Sequence, residues 1–122
     1  MGWLATMLKL SCVCAVMLLP AAAVARDQWG ALAFNNANRA YGFSYNYYSE
    51  YDAGQRALAE CGRGCRLVLR FGNGCAAYAT GYQGAYGWGH AYSRYDAEQI
   101  ALNECGAHGG GCQIRVWGCN GG

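Results

Sequence analysis

Six cysteines in the C-terminal two-thirds of this 122-residue chain are its most reactive residues. They are Cys61, Cys65, Cys75, Cys105, Cys112 and Cys119. Their spacings include C-x3-C, C-x9-C and C-x6-C but no C-x2-C, the pair that a structural zinc site is expected to show. We therefore predict disulfides and no metal site, with zinc as the alternative. A nucleophilic thiol would need an unpaired cysteine, and an even number does not obviously leave one.

Few other side chains suit catalysis. His90 takes an aromatic position in a strand pattern, and His108 lies in a glycine-rich loop that is unsuited to holding a general base in place. Glu60 and Glu104 occupy equivalent positions in an internal repeat and could face one another as paired carboxylates. Solvated helix faces explain both acids more simply. The sequence therefore predicts no catalytic residue and no cofactor.

The repeat shows which elements must position these residues. Residues 48–53 match 92–97, and residues 57–62 match 101–106 at the same offset. The chain therefore contains two tandem copies of one unit of about 45 residues, at about 29–73 and 74–119.

Each copy begins with strand patterns. Tyr41 and Phe43 alternate with small residues, and Tyr86 and Trp88 do so in the second copy. This period of two predicts a strand with one aromatic face. We expect these four rings to form the core beneath the helices.

A short helix should follow in each copy. Ser49 and Ser93 can cap the free amides at a helix start, and apolar residues then recur at helical spacing. Gly62 and Gly106 should end the two helices. Alternating residues after each glycine loop predict a last strand. The fold class is α+β: two β-β-α-β repeats whose antiparallel or mixed sheet carries two short helices, with disulfides as staples.

The repeat also constrains the disulfides. If Cys75, at the boundary, is counted with the first copy, each copy has three cysteines, and at least one bridge should then join the copies if all six pair. Fifteen pairings are possible for six cysteines. Because pseudosymmetry favours equivalent residues meeting near the axis, we expect these pairs: Cys75 with Cys119, Cys61 with Cys65, and Cys105 with Cys112.

The N-terminal segment has the pattern of a secretory signal. Lys9 precedes an apolar run over 10–19, Pro20 ends it, and residues 21–25 are small. We predict that residues 1–25 are a signal peptide, cleaved before Arg26. The mature protein is then secreted or periplasmic, without a stable membrane anchor. An uncleaved anchor is the alternative.

We expect residues 26–122 to form a single domain. The composition of the chain limits the kinds of partner that this domain could bind. A formal net charge of +2 is too small to suggest a nucleic-acid partner. Aromatic residues make up 14% of the chain and include 10 tyrosines. Tyrosine joins a large apolar area to a polar tip and suits recognition of a protein or a glycan. The predicted binding-surface residues are Tyr47, Tyr48, Tyr51, Tyr82, His90, Tyr92 and Tyr95. No particular oligomeric state is indicated.

Several segments together carry a family resemblance: 29–33, 41–45, 57–61, 65–75, 84–89 and 112–119. In this combination the chain resembles the bacterial domain-of-unknown-function family 4189, small exported proteins of proteobacteria and mycobacteria. The resemblance implies an exported, cysteine-bearing α+β domain. It implies no activity and no catalytic residue.

These observations favour an exported, non-enzymatic domain that acts by binding a host or competitor protein or an envelope glycan. The alternative is an inhibitor or immunity protein against a secreted or periplasmic hydrolase. A small hydrolase using His90 and a nearby acid is the third hypothesis.

Overall fold

Within residues 27–121, six strands and two helices follow one another in the order that the repeat predicts. The structure is a computed structural model that describes residues 27–121, so the predicted signal peptide lies outside the described residues. The elements are β1 Trp29–Phe34, β2 Tyr41–Tyr47, α1 Glu50–Cys61, β3 Arg66–Gly72, β4 Cys75–Thr80, β5 Tyr86–Ala91, α2 Arg94–Gly106 and β6 Gln113–Cys119, with a single 3-10 turn at Tyr82–Gly84 between β4 and β5.

The strands form two separate three-stranded sheets. The first has the order β2-β1-β3 and the second has the order β5-β4-β6. Every strand pair is antiparallel. The predicted α+β class and the repeated β-β-α-β unit are confirmed, and the sheets are antiparallel rather than mixed.

Each helix covers one face of its own sheet through small side chains. In the first unit, Ala31 and Ala33 of β1 pack against Ala53 and Ala57 of α1, and all four are fully buried. The second unit repeats this contact with Ala77, Ala79, Ala97 and Ala101. Alanine side chains allow helix and sheet backbones to approach closely, because little volume lies between them.

The other faces of the two sheets pack against each other. Leu32 and Phe34 of β1 and Phe71 of β3 share a cluster with Tyr78 of β4. Because strand residues alternate between faces, the clusters place the layers in the order α1, first sheet, second sheet, α2. The helices therefore lie on the two outer faces.

This layering corrects the predicted position of the aromatic face. Tyr41, Phe43, Tyr86 and Trp88 belong to the cluster between the sheets and do not lie beneath the helices. The helix side of β2 carries Gly42, where an added Cβ would collide with the carbonyl oxygen of Ala57. Only a position without a side chain allows this approach, so the large rings occupy the other face.

The helix starts and ends agree with the sequence, although the two ends are capped differently. Ser49 and Ser93 accept hydrogen bonds from the amides three residues on, at 2.9 and 3.1 Å. Gly62 follows α1 with φ +99°, as expected of a glycine cap. α2 ends at Gly106, as predicted, but Gly106 is its last helical residue and does not form the cap. Ala107 caps α2 in a right-handed conformation and donates to carbonyls of the last turn.

The structure contains three disulfides with the expected partners: Cys61–Cys65, Cys75–Cys119 and Cys105–Cys112. Cys61–Cys65 and Cys105–Cys112 each join a helix to the residue just before the next strand. Cys75 and Cys119 are opposite each other on β4 and β6, inside the second sheet. The expectation of a bridge between the two copies is therefore wrong, since Cys75 belongs structurally to the second unit. At the matching position of the first sheet, Trp29 is opposite Gly72.

Neither helix within residues 27–121 has the length and apolar content needed to cross a bilayer.

Candidate functional site: a tyrosine surface and an arginine cavity

One end of the sandwich is fixed by two asparagines. Asn120 accepts a hydrogen bond from the Asn46 amide at 2.7 Å, and Asn46 accepts one from the Gly121 amide at 2.7 Å. The Asn120 side chain also donates to the Phe71 carbonyl at 3.1 Å. These bonds join the ends of β2 and β3 in the first sheet to the end of β6 in the second sheet. Both helices begin at this end of the sandwich, α1 after β2 and α2 after β5.

Four of the predicted tyrosines lie at this end. Tyr48 and Tyr92 lie in the β2–α1 and β5–α2 connections, and Tyr51 and Tyr95 lie in the first turns of the helices. All four are 61–92% exposed. We define the tyrosine surface as these four tyrosines and His90: Tyr48, Tyr51, His90, Tyr92 and Tyr95. The serine caps hold the chain at Ser49 and Ser93, beside the tyrosines, so the rings project from fixed backbone.

Two of the predicted tyrosines are not part of this surface. Tyr47 is half-buried against the α1 cluster. It faces the helix because a bulge in β2, where Asn46 has φ +67°, shifts the alternation of side chains by one residue. Tyr82 is 72% exposed but lies in the 3-10 turn at the opposite end of the sandwich.

His90 lies at the end of β5 and is exposed. With Ala91 and Tyr92 it lines a depression of about 370 Å³ against Gly72 and Asn73 of the β3–β4 turn. No carboxylate is among these lining residues. The small-hydrolase hypothesis therefore has an imidazole here, but no acid in the same depression to orient it.

The sequence did not identify two further aromatic rings at this end. Tyr45 is 44% exposed, and Trp117 is 40% exposed. Both line a depression beside Asn46. The Arg94 guanidinium lies 3.7 Å from the centroid of the Trp117 ring, as in a cation–π contact. The spacing of Tyr45 and Trp117 in the sequence did not distinguish them from the aromatic residues of the core.

The remaining catalytic candidates do not come together. Glu60 forms an ion pair with Arg56 at 2.9 Å and accepts a hydrogen bond from the Phe43 amide of β2 at 3.4 Å. Glu104 belongs to α2, so two sheets separate the two carboxylates. The ring of His108 stacks on Tyr86 with 6.2 Å between centroids. Within residues 27–121, no three histidine, cysteine or acidic side chains are grouped as metal ligands.

A cavity opens at the opposite end, between the two sheets. Its volume is about 250 Å³, and its polar side chains include Arg39, Tyr78, Thr80 and Arg115. We call it the arginine cavity. Tyr78 is fully buried. Burial, and then the neighbouring Tyr41, raise the pKa of the Tyr78 phenol to about 12 although the nearby arginines lower it. The phenol therefore stays protonated at neutral pH.

Sequence reasoning missed this cavity because its residues come from separate loops and strands. A signal was nevertheless present in the repeat. Strand register aligns Leu32 with Tyr78, and Val68 with Arg115, so a polar group replaces a hydrocarbon at two positions of the second unit. Neither difference breaks the alternation that predicts a strand.

Comparisons with known proteins agree with this fold. The NMR structure of Rv1813c from Mycobacterium tuberculosis is similar, with 25% sequence identity and a TM-score of 0.60 over 98% of this chain and 100% of that chain. A search of curated proteins found no match. A family model described as Domain of unknown function (DUF4189) matches residues 29–119. Since this match covers most of the sequence, the chain belongs to the DUF4189 family.

Proposed function

We propose that the protein is an exported, non-enzymatic binding domain and that the tyrosine surface contacts a protein or an envelope glycan. The observation that carries the proposal is the exposure of four tyrosines at one end of the sandwich, with Tyr92 at 92%. Tyrosine supplies contact area at little cost in side-chain entropy and can hydrogen-bond through its hydroxyl. Grouped exposed rings of this kind are typical of an interaction site.

The rigidity of this end supports the same proposal. The Asn46–Asn120 hydrogen bonds and the two serine caps hold the connections and the first helical turns that carry the tyrosines. A preorganised surface loses less conformational entropy on binding than a mobile one. The tyrosines can therefore contribute to affinity without first ordering their backbone.

Binding to insoluble peptidoglycan, measured by co-sedimentation of the oxidised protein, tests the glycan form of the proposal. We expect the double variant Tyr51→Ser/Tyr92→Ser to lose most of the binding. Tyr82→Ser is the matched control, because Tyr82 and Tyr51 are both 72% exposed but lie at opposite ends. Equal binding by the wild type and the double variant would contradict the role of this surface. Turnover of the glycan by the wild type would contradict a non-enzymatic function.

A protein partner is tested separately. Inhibition of a purified secreted lytic enzyme by the wild type, lost in Tyr51→Ser/Tyr92→Ser and retained in Tyr82→Ser, would identify the partner as a hydrolase. If the protein neither binds the glycan nor inhibits a hydrolase, the form of the proposal that is then tested is an adhesin-like contact with another protein. Surface plasmon resonance against host-cell surface proteins, with the same variants, is then the measurement.

Export is part of the proposal and has its own support. Three disulfides are stable in an oxidising compartment and are rare in a reducing cytosol. Mass spectrometry of the native protein should give a chain that begins at Arg26 and contains six oxidised cysteines. An intact leader on cytosolic, reduced protein would contradict export.

A further inference from the structure

Tyr78 has a buried hydroxyl group without a partner. Among the described side chains that are not exposed, its oxygen is the one buried polar atom that forms no hydrogen bond. A buried hydroxyl that loses its hydrogen bond to water destabilises the folded state unless a partner replaces the water. Natural structures keep few such groups, and each calls for an explanation. Here the tyrosine lines the arginine cavity, so a bound molecule can supply the acceptor.

Two arginines of the same cavity have no acidic partner. The ion pairs found within residues 27–121 join Arg56 to Glu60, Arg70 to Glu50 and Arg94 to Glu98. Arg39 and Arg115 are in none of them, and no carboxylate lines the cavity. The two guanidinium groups supply only hydrogen-bond donors and carry positive charge, and the protonated phenol can donate one more hydrogen bond, so the cavity favours an acceptor with negative charge.

The backbone positions both arginines. Arg39 has φ +68° in the β1–β2 loop, where its backbone amide donates a hydrogen bond to the Asn35 carbonyl at 2.8 Å. Its guanidinium lies 4.9 Å from the centroid of the Tyr86 ring, which leaves its N–H edge available for donation. Arg115 is the extra residue of a bulge in β6, between the residues that are opposite Tyr78 and Ala79. A bulge changes the direction of the side chain it carries.

The two units differ at the positions that build this site. The first unit has Leu32 and Val68, both of which pack in the cluster between the sheets. The second unit has Tyr78 and Arg115 at the equivalent positions of its register. An ordinary core needs hydrocarbon at such positions, and the first unit shows that the fold accepts it. The polar groups are therefore not required by the fold.

We propose that the arginine cavity binds a compact oxyanion, with the Tyr78 hydroxyl donating from its floor and Arg39 and Arg115 donating from its mouth. A carboxylate, phosphate or sulfate group provides the acceptor oxygens that these donors lack. Pockets for drug-sized ligands span roughly 300 to 1,000 Å³, so a cavity of about 250 Å³ fits a small ligand. The site lies at the opposite end from the tyrosine surface and is independent of the binding function proposed for that surface.

Titration of the oxidised protein with inorganic phosphate, sulfate and acetate tests the proposal. Amide chemical shifts of Tyr78, Gly81 and Arg115 are the readout, with chloride at equal ionic strength as the reference. We expect saturable shifts for at least one oxyanion and not for chloride. A stronger response to phosphate or sulfate identifies a tetrahedral oxyanion, and a stronger response to acetate identifies a carboxylate. Shifts no larger than those with chloride overturn the proposal.

Three variants test the assigned donors. Tyr78→Phe, Arg39→Gln and Arg115→Gln should each weaken binding by about tenfold or more, because each removes a hydrogen bond to a charged group. Arg66→Gln is the matched control, since Arg66 is an exposed strand arginine outside the cavity. Unchanged binding in Tyr78→Phe or in Arg115→Gln overturns the proposal. Because Arg39 and Arg115 are exposed, their substitution should leave the fold intact. These two variants therefore test the proposal even if Tyr78→Phe alters folding.

Discussion

Glycine 42 determines how closely α1 approaches the first sheet. A Cβ at this position would meet the Ala57 carbonyl oxygen and, at 2.6 Å, the Cys61 amide nitrogen. Both atoms belong to helix backbone, so neither can move aside as the end of a flexible side chain can. Gly42→Ala should therefore lower the free energy of unfolding by about 1 to 3 kcal/mol, as measured by urea denaturation.

Gly106 is the matched control for Gly42. It lies in the last turn of α2, and nothing is within 4 Å of an added Cβ. Gly106→Ala should raise the free energy of unfolding by up to about 1 kcal/mol, because alanine has the higher helix propensity. A loss of stability at Gly106 equal to that at Gly42 would mean that close approach is not the cause.

Tyr78 should make stability depend on alkaline pH. Its pKa is about 12 in the folded protein, against 10.0 as the ordinary value. Because the unfolded chain loses this proton first, the contribution is complete below pH 10 and is lost as pH rises toward 12. Between pH 9 and pH 11 the free energy of unfolding should fall by about 1 kcal/mol more in the wild type than in Tyr78→Phe. Parallel pH profiles from urea denaturation would contradict this.

At the scale of elements, the three disulfides should differ in what they contribute. The bridged residues are 44 positions apart in Cys75–Cys119, but 4 and 7 apart in Cys61–Cys65 and Cys105–Cys112. Closing a longer loop removes more entropy from the unfolded chain, which gives about 4 kcal/mol for the long loop and about 2 kcal/mol for each short one.

Paired serine substitutions test this order. Cys75→Ser/Cys119→Ser should lower the free energy of unfolding by about twice as much as Cys61→Ser/Cys65→Ser, as measured by urea denaturation under oxidising conditions. Equal losses would show that strain or residual structure in the unfolded chain outweighs loop length. The two variants keep the other bridges, so each comparison isolates one loop.

The two units attach the first helical turn to the last strand by different chemistry. In the first unit, Glu50 of α1 forms an ion pair with Arg70 of β3 at 3.7 Å. At the equivalent positions of the second unit, Arg94 lies over the Trp117 ring at 3.7 Å. Both contacts are exposed, so neither contributes much to stability on its own. What the repeat preserves is the contact between these elements.

The sequence predicted the elements because each one has a local signal. Alternation predicted the strands, and Ser49 and Ser93 predicted the helix starts. The side of each strand that meets the helix was not predictable in the same way. The alternation of Gly42 and Phe43 is the same whether the glycine side or the aromatic side of the strand packs against the helix. That choice depends on how closely α1 must approach, which is a property of two elements together. The bulge at Asn46 likewise moved Tyr47 off the predicted surface without a signal in the alternation.

Function at the scale of the molecule depends on how the ends of the sandwich differ. The repeat predicted that Tyr48 and Tyr92 are equivalent, and the fold places both at the end where the helices begin. The arginine cavity was not predicted, because Arg39 comes from a loop of the first unit and Arg115 from a strand of the second. Local patterns locate residues within an element. Only the packing of one sheet against the other brings these two arginines to the same cavity.

That packing, and not a disulfide, should hold the two units together once the turn between them is cut. The disulfides all lie within units, and the β3–β4 turn at Asn73 connects the units along the chain. Leu32 and Tyr78, fully buried from opposite sheets, show how completely each unit covers the other. A protease site inserted between Asn73 and Gly74, once cut, should give two fragments that stay associated in native buffer by size-exclusion chromatography.

The same cut protein distinguishes this arrangement from a bridge between the copies. Under non-reducing denaturing electrophoresis the fragments should separate, because each of the three disulfides within residues 27–121 has both of its cysteines on the same side of the cut. A single band that needs a reductant to separate would contradict the pairing of Cys75 with Cys119 inside the second sheet. Fragments that separate even in native buffer would show that the contact between the sheets is too weak to hold the units together without the turn.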